Sequence, residues 1–194
     1  MTGLTNNAPR PRLANARALL RDVLATAGFV VAVFTLLQLA IPRSLVLGTS
    51  MQPNFYEGNR LVISRLNYLF GDPQRGDIIV FNTPEEGRRS TAVIKRVIGM
   101  PGEAVEMIDQ QIHINGERLE EPYIKEACRP VRCPDRSWTL GPNEYFVMGD
   151  NRNDSRDSRT YGAVSIECII GEAGFRFWPL TQFGVVPRFD TVAD

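Results

Sequence analysis

A serine and a lysine are the residues of this chain whose surroundings best suit nucleophilic chemistry. Ser50 lies in the segment Gly-Thr-Ser-Met-Gln-Pro, residues 48–53, where small residues and a proline predict a non-helical turn. Taken alone, such a segment is also a common turn. A serine hydroxyl becomes a strong nucleophile only when a neighbouring base takes its proton. The sole histidine, His113, lies in a strand pattern with no nucleophile beside it, which leaves a lysine as the candidate base.

Lys95 lies in an apolar strand pattern over residues 92–98. Because side chains alternate along a strand, Val93, Lys95 and Val97 share one face and Arg96 lies on the other. Both faces are largely apolar, so either Lys95 or Arg96 must lie among hydrophobic neighbours. Burial lowers the pKa of a lysine amine, and a neutral amine can accept a proton from a serine hydroxyl. The alternative interpretation is a lysine at a strand edge whose amine extends into water.

A dense polar loop follows the apolar strand pattern that ends at Met148. Residues 149–159 read Gly-Asp-Asn-Arg-Asn-Asp-Ser-Arg-Asp-Ser-Arg, with three carboxylates, three arginines and two serines in eleven residues. Such a run is usually a solvated loop. Its composition also suits an internal network of ion pairs and hydrogen bonds that positions catalytic groups.

The elements that must position these residues are short strands. Segments rich in branched and aromatic residues alternate with Gly, Pro and Asn punctuation, including an Asn-Gly hairpin turn at residues 115–116. The pattern predicts strands over residues 60–64, 77–81, 92–98, 104–108, 111–114, 144–148 and 171–177. The predicted fold class is mainly β, an antiparallel catalytic domain with one N-terminal transmembrane helix.

The N-terminal region has the pattern of a membrane anchor. Four arginines and no acid precede residue 22, and residues 23–41 carry no charge. Nineteen residues of helix span roughly 28 Å, close to the hydrocarbon thickness of a bilayer. We therefore predict a cytoplasmic basic segment over 1–21, a transmembrane anchor over 22–41 and an extracytoplasmic β-rich domain over 42–194. A cleaved signal peptide usually has a shorter apolar run, and a buried core helix usually shows a polar stripe.

Charge and cysteine usage limit the partners. The 22 basic and 22 acidic residues cancel, so the net charge gives no reason to expect nucleic acid. Cys128 and Cys133 could close a short loop as a disulfide in an oxidising compartment; free thiols are the alternative, and no ligands for a metal lie nearby. Cys168 is predicted to be a small core residue. The aromatic residues Phe175, Phe177 and Trp178 suit either the core or the interface with membrane lipid.

Four blocks of sequence, in this order, resemble bacterial type I signal peptidases. They are Ser-Met-x-Pro beyond an N-terminal anchor, Arg-Gly-Asp-Ile-Ile-Val-Phe at 75–81, Lys-Arg-Val-Ile-Gly-Met-Pro-Gly-Glu at 95–103, and the polar loop at 149–159. Each block alone is a weak signal, whereas the ordered set over roughly residues 44–175 is specific.

The resemblance implies roles for individual residues. Ser50 corresponds to the nucleophile, Lys95 to the general base, and Ser155 to a serine that hydrogen-bonds and orients the lysine amine. An ion pair is implied between Asp157 and Arg159. Supporting positions are implied for Asp150, Asn151 and Arg152, and positions near the substrate for Met51, Pro53 and Ile94.

The resemblance also implies a reaction and a location. The substrates would be exported preproteins with small residues, as in Ala-x-Ala, before the cut, and no metal or cofactor is needed. The location would be the plasma (inner) membrane, although a thylakoid-type membrane also fits. In some members a serine stands two residues before the nucleophile and assists the oxyanion hole; here it is Gly48.

Two other classes of protein remain alternatives. Self-cleaving repressor-type proteases share a Ser/Lys dyad, but they are cytosolic and carry a DNA-binding helical region. A non-catalytic, membrane-tethered β module that binds exported proteins is the second alternative. A large distance between Ser50 and Lys95 would favour it.

Overall fold

A computed structural model describes residues 12–40, 43–83 and 92–189. They form a helical N-terminal unit and a second compact unit that begins after Ala40. The helices are α1 Arg12–Ala40, α2 Asn67–Phe70 and α3 Ser158–Tyr161, with 3-10 turns at Arg152–Asp154, Ile166–Cys168 and Leu180–Gln182. The strands are β1 Arg43–Leu45, β2 Arg60–Ser64, β3 Ile78–Asn82, β4 Ala92–Gly99, β5 Ala104–Ile108, β6 Gln111–Ile114, β7 Glu117–Arg118, β8 Arg136–Thr139, β9 Glu144–Met148, β10 Val164–Ser165, β11 Ile169–Trp178 and β12 Gly184–Val185.

Helix α1 begins ten residues before the predicted anchor. Residues 14–20 are mostly Ala, Leu and Arg, which are strong helix formers, so the basic segment continues the helix. Its segment Ala16–Leu36 has a mean hydropathy of 1.8 and is long and apolar enough to cross a membrane. A signal sequence would meet the same criterion. The predicted end of the anchor, residue 41, lies outside the described residues.

The second unit consists of two antiparallel sheets, which confirms the predicted fold class. The larger sheet has the order β1-β2-β11-β3-β4-β9-β10, with β12 paired to β11, and the smaller has the order β7-β6-β5-β8. Four strands, at residues 60–64, 104–108, 111–114 and 144–148, match the predicted bounds. The hairpin turn also matches, because Asn115 and Gly116 both have positive φ, at 52° and 86°.

Strand β3 lies in the middle of the larger sheet and is buried on both faces. Ile78 and Val80 pack into a cluster with Met51 and Leu61. The residues of β3 that alternate with them pack into a second cluster on the other face. Because neighbouring β4 is likewise enclosed, residues on both faces of β4 lie away from water.

Candidate active site

The segment that carries Ser50 is a tight turn between β1 and β2. Gly48 has φ +81°, a conformation that favours glycine, and the backbone amide of Gln52 donates to the carbonyl of Thr49 at 3.1 Å. Met51, on the next position, is only 1% exposed and packs into the core. The buried methionine anchors the turn, and Ser50 is left half-buried at the surface.

Lys95 lies on β4 of the larger sheet, and its side chain reaches the turn that carries Ser50. Its amine Nζ is 2.7 Å from Ser50 Oγ and 2.8 Å from the carbonyl oxygen of Ile94. The residue is only 4% exposed. Burial lowers the pKa of Lys95 to about 8, although the carboxylates of Asp157 and Asp150 act in the opposite direction. The amine is therefore close enough to exchange a proton with the hydroxyl and is substantially neutral near pH 8.

Arg96, the next residue on β4, is buried with an acidic partner from the polar loop. Its guanidinium donates to both carboxylate oxygens of Asp150 at 2.8 Å and to the carbonyl of Gly76 at 2.9 Å. The guanidinium also lies 4.1 Å from the centroid of the Tyr123 ring. A buried cation is tolerated here because it is paired with a carboxylate and its donors are used.

Asn151 and Arg152 connect the polar loop to two other parts of the chain. The backbone amide of Asn151 donates to the carbonyl of Ser50 at 3.0 Å, which ties the loop directly to the serine turn. Arg152 forms a two-point ion pair with Glu121, at 2.7 and 2.5 Å. The adjacent carboxylate outweighs the effect of burial, so the pKa of Arg152 is raised. Both residues act on the shape of the site and do not line its opening.

Asp157 and Arg159 form the expected ion pair. Nε and Nη2 of Arg159 each lie 2.8 Å from a carboxylate oxygen of Asp157, and the amide of Gly149 donates to the same carboxylate at 3.0 Å. Burial would raise the pKa of Asp157, but the hydrogen bonds and charge of Arg159 outweigh it and the pKa is lowered. Asp157 therefore remains ionised near the lysine.

Ser155 departs from the expectation drawn from the family. The lysine amine donates to Ser50 and to the carbonyl of Ile94, and no hydrogen bond joins it to Ser155 among the described residues. The hydroxyl of Ser155 lies against Gly149, which has no side chain. A Cβ on Gly149 would lie 2.4 Å from Ser155 Oγ and 2.5 Å from the carbonyl oxygen of Ser50, so only glycine leaves room for both. Ser155 thus lies beside the serine turn and packs against Gly149.

An apolar cavity of about 240 Å³ opens beside the serine and the lysine. Ile94 lines it, as expected, whereas Met51 and Pro53 do not. Met51 is buried beneath the turn and Pro53 is exposed, and their contact with substrate stays a prediction. The other side chains of the wall were not predicted: Leu45, Val46, Leu47, Leu61, Val80 and Val93.

Several other residues of the site were also missed by the sequence reasoning. Asn54 donates to Asp150 and to the carbonyl of Tyr123, both at 2.8 Å, and Thr49 donates to Asp154. The residues concerned are far apart in sequence, so no local pattern could pair them. His113 lies in the smaller sheet opposite Glu106, away from the serine turn.

Cys128 and Cys133 are joined by a disulfide, and Cys168 is half-buried against a core cluster. The disulfide lies against the polar loop, since Nη1 of Arg159 is 3.1 Å from Cys133 Sγ. No group of His, Cys, Asp or Glu within the described residues has the arrangement of a metal site.

Residues 19–178 match the protein family described as signal peptidase, peptidase S26. This chain belongs to that family. It is 41% identical to signal peptidase I of Leptolyngbya laminosa over 145 residues, which cover 70% of this chain and 68% of the relative. It is also 41% identical to a probable signal peptidase I-1 of Synechocystis over 152 residues, which cover 74% of each chain. A crystal structure of a signal peptidase I from Enterococcus faecalis V583 matches 53% of this chain and 97% of that one, at 36% identity and a TM-score of 0.46.

Membership of this signal peptidase family settles the class of protein. The chain is a peptidase, and the alternative of a non-catalytic binding module is not favoured. Its apolar helix, taken with the family, indicates a membrane-anchored protein. The proximity of the serine and the lysine agrees with a hydrolase, because a large distance between them was the observation that would have favoured a binding module.

Proposed function

We propose that this chain is a membrane-bound serine endopeptidase that removes N-terminal signal peptides from exported preproteins. Ser50 is the nucleophile and Lys95 its general base. The observation that carries the proposal is the 2.7 Å contact between Lys95 Nζ and Ser50 Oγ, made by an amine whose pKa is lowered to about 8. A lysine with the ordinary pKa of 10.5 would be neutral in about 0.03% of molecules at pH 7; a pKa of about 8 raises this to about 9%.

The reaction begins when neutral Lys95 takes the proton of Ser50 as the serine oxygen attacks the scissile carbonyl. The ammonium that forms then protonates the leaving amine, and the peptide C–N bond breaks to give an ester of Ser50. Lys95, neutral again, takes a proton from a water molecule that attacks the ester. The released acid is the signal peptide, and Ser50 regains its proton from the lysine.

The oxyanion of the tetrahedral intermediate is stabilised by backbone donors, notably the amide of Ser50. A side-chain donor two residues before the nucleophile is absent, because Gly48 occupies that position. The φ of +81° at Gly48 explains this choice, since a residue with a side chain is strained in that conformation. A single oxyanion donor in other enzymes is worth about 3 kcal/mol, which a well-placed backbone amide can supply.

The substrate binds as an extended chain between two free strand edges. The first edge is formed by residues 92–95 of β4, which pair with β3 on one side only because the pairing of β4 with β9 starts at Arg96. The second edge is β1, which among the described strands pairs only with β2. Both edges border the apolar cavity. Main-chain hydrogen bonds to such edges hold a peptide of any sequence, and the small cavity selects small residues such as alanine before the cut.

The topology follows from the charges around α1. Basic residues 1–21 remain in the cytoplasm, the apolar segment spans the plasma membrane, and the peptidase domain lies on the far side. A disulfide between Cys128 and Cys133 suits that oxidising side. The anchor keeps the peptidase at the membrane where its substrates emerge, which raises their effective concentration.

Cleavage of an Ala-x-Ala preprotein in detergent tests this function. Ser50→Ala and Lys95→Ala should each lose nearly all activity while remaining folded. Ser137→Ala and Lys125→Ala are the matched controls, because Ser137 is exposed on β8 and Lys125 is the other lysine of the chain. Cleavage at the same site by Ser50→Ala would refute the assignment of the nucleophile.

A further inference from the structure

A second pocket lies against the polar loop and is more polar than the apolar cavity. It has a volume of about 240 Å³ and shares no lining residue with that cavity. Arg132, Arg136 and Arg159 line it, over a floor that includes Met107 and Trp138. We refer to it as the arginine pocket.

The arginine pocket has an uncompensated positive charge. Arg159 is already paired with Asp157, whereas Arg132 and Arg136 are exposed. None of its lining residues within the described part of the chain is acidic. The nearest acid in sequence, Asp135, turns to the backbone amide of Asp109 at 3.0 Å and does not line the pocket.

The geometry of Arg136 suits a planar anion. Met107 and Arg136 are opposite each other on β5 and β8 and therefore share a face, and Val105 and Trp138 share it too. The guanidinium of Arg136 lies 5.3 Å from the ring of Trp138, which holds it over the pocket floor. A guanidinium oriented in this way presents paired donors to a carboxylate.

The pocket adjoins the active site through Ser155. Ser155 lines the pocket, and its hydroxyl and the carbonyl oxygen of Ser50 both lie next to the position that a Cβ on Gly149 would occupy. When the residues before the cut occupy the apolar cavity, the residues after the cut must extend from the serine in another direction. Ser155 therefore places one wall of the arginine pocket next to the turn that carries that serine.

We propose that the arginine pocket binds acidic side chains of the preprotein in the first residues after the cleavage site. This inference rests on the proposed function and adds to it a preference for the mature segment of the substrate. Arg132 and Arg136 supply the charge, and Trp138 and Met107 contact the methylene groups of a glutamate. Two exposed charge pairs of this kind correspond to about a threefold to tenfold gain in affinity at low salt.

The first arm of the test measures binding without catalysis. The chain has two tryptophans, so Ser50→Ala with Trp178→Phe leaves Trp138 as the only one. The probes are the peptides Ala-Glu-Glu-Glu-Ala and Ala-Gln-Gln-Gln-Ala, titrated into the full chain in detergent. The glutamate peptide should change the Trp138 fluorescence saturably and bind threefold to tenfold more tightly. Adding Arg132→Gln and Arg136→Gln should abolish the difference, whereas Arg65→Gln, an exposed arginine outside the pocket, should leave it unchanged.

The second arm measures cleavage of two preproteins that differ only in glutamate or glutamine after the cut. The glutamate form should have a threefold to tenfold lower KM with an unchanged kcat, and the double variant should lose this preference. Equal binding of the two peptides, or a preference that survives in the double variant, would overturn the proposal while the proposed function stands. Arginine-dependent changes in Trp138 fluorescence with phosphatidylglycerol vesicles but not with the peptides would also overturn it. Cleavage by Ser50→Ala would instead refute the proposed function, and the binding arm would still decide the pocket.

Discussion

Replacement of Lys95 by methionine should stabilise the folded protein at neutral pH and destabilise it at high pH. The lysine amine is charged in the unfolded chain, where its pKa is near 10.5, and burial lowers the pKa to about 8 in the folded chain. Between these two values the unfolded state binds more protons, so the stability of the wild type rises as the pH rises through this window. Methionine fills a similar volume and has no charge to bury.

The size of the effect follows from the pKa shift. Lowering the pKa from 10.5 to about 8 corresponds to a penalty of about 3 kcal/mol for burying the ammonium, nearly all of it present at pH 7. The substitution also removes the hydrogen bonds to Ser50 Oγ and to the carbonyl of Ile94, at a cost of about 1–2 kcal/mol. We expect Lys95→Met to be more stable than the wild type by about 1–2 kcal/mol at pH 7.

Urea unfolding of the full chain in detergent, at several pH values between 7 and 10, measures the difference. The stability advantage of Lys95→Met should fall by about 2–3 kcal/mol over this range, because the wild type loses most of its penalty as the amine becomes neutral. Lys125→Met is the control for the loss of a lysine, since Lys125 is exposed. A constant difference for Lys95→Met across the range would show that the buried amine does not titrate there, and the mechanism would lose its neutral base.

Three further predictions concern the same site. Gly149→Ala should destabilise the protein by about 2–4 kcal/mol and abolish cleavage, because its Cβ would meet two residues of the site at 2.4 and 2.5 Å. Gly174→Ala is the control, since a Cβ there would have no neighbour closer than 3.9 Å. Equal unfolding midpoints for the two variants would contradict the packing argument. Asp150→Asn should cost about 3–5 kcal/mol in chemical unfolding, since Arg96 would be left buried without its counter-charge, and a loss under 1 kcal/mol would mean that water reaches the arginine. In the wild type, kcat/KM should rise about tenfold per pH unit below pH 8 and level off above it, because only neutral Lys95 accepts the proton; a profile that is flat from pH 6 to pH 9 would exclude this base.

The strands were predictable because their hydrophobic pattern is local. Alternation and turn residues place β5, β6 and the Asn115–Gly116 turn correctly, since each depends on neighbours a few residues away. Strand β11 is longer than predicted because it continues at both ends through register shifts, between Ile169 and Gly171 and between Arg176 and Trp178, and no residue pattern marks these irregularities. The start of α1 was missed because charged arginines do not interrupt a helix.

The candidate site was predictable in its main residues but not in its contacts. Alternation along β4 indicated that either Lys95 or Arg96 would be buried, and the structure buries both because β4 is enclosed on both faces. Glu121, the partner of Arg152, lies 31 residues from it in sequence and belongs to no recognisable motif. Such pairings depend on tertiary packing, which a single sequence does not reveal.

The arrangement of charges around Lys95 explains why its amine can be neutral at all. Two carboxylates, Asp150 and Asp157, lie close enough to raise the pKa of the lysine, and alone they would oppose the effect of burial. Each of them is held in a two-point ion pair, Asp150 with Arg96 and Asp157 with Arg159. Arg159 also lowers the pKa of the lysine and so offsets part of the effect of the two carboxylates, while desolvation remains the dominant influence. Arg159 thus contributes to catalysis through the charge that it places near the amine, which helps to leave the lysine able to act as a base.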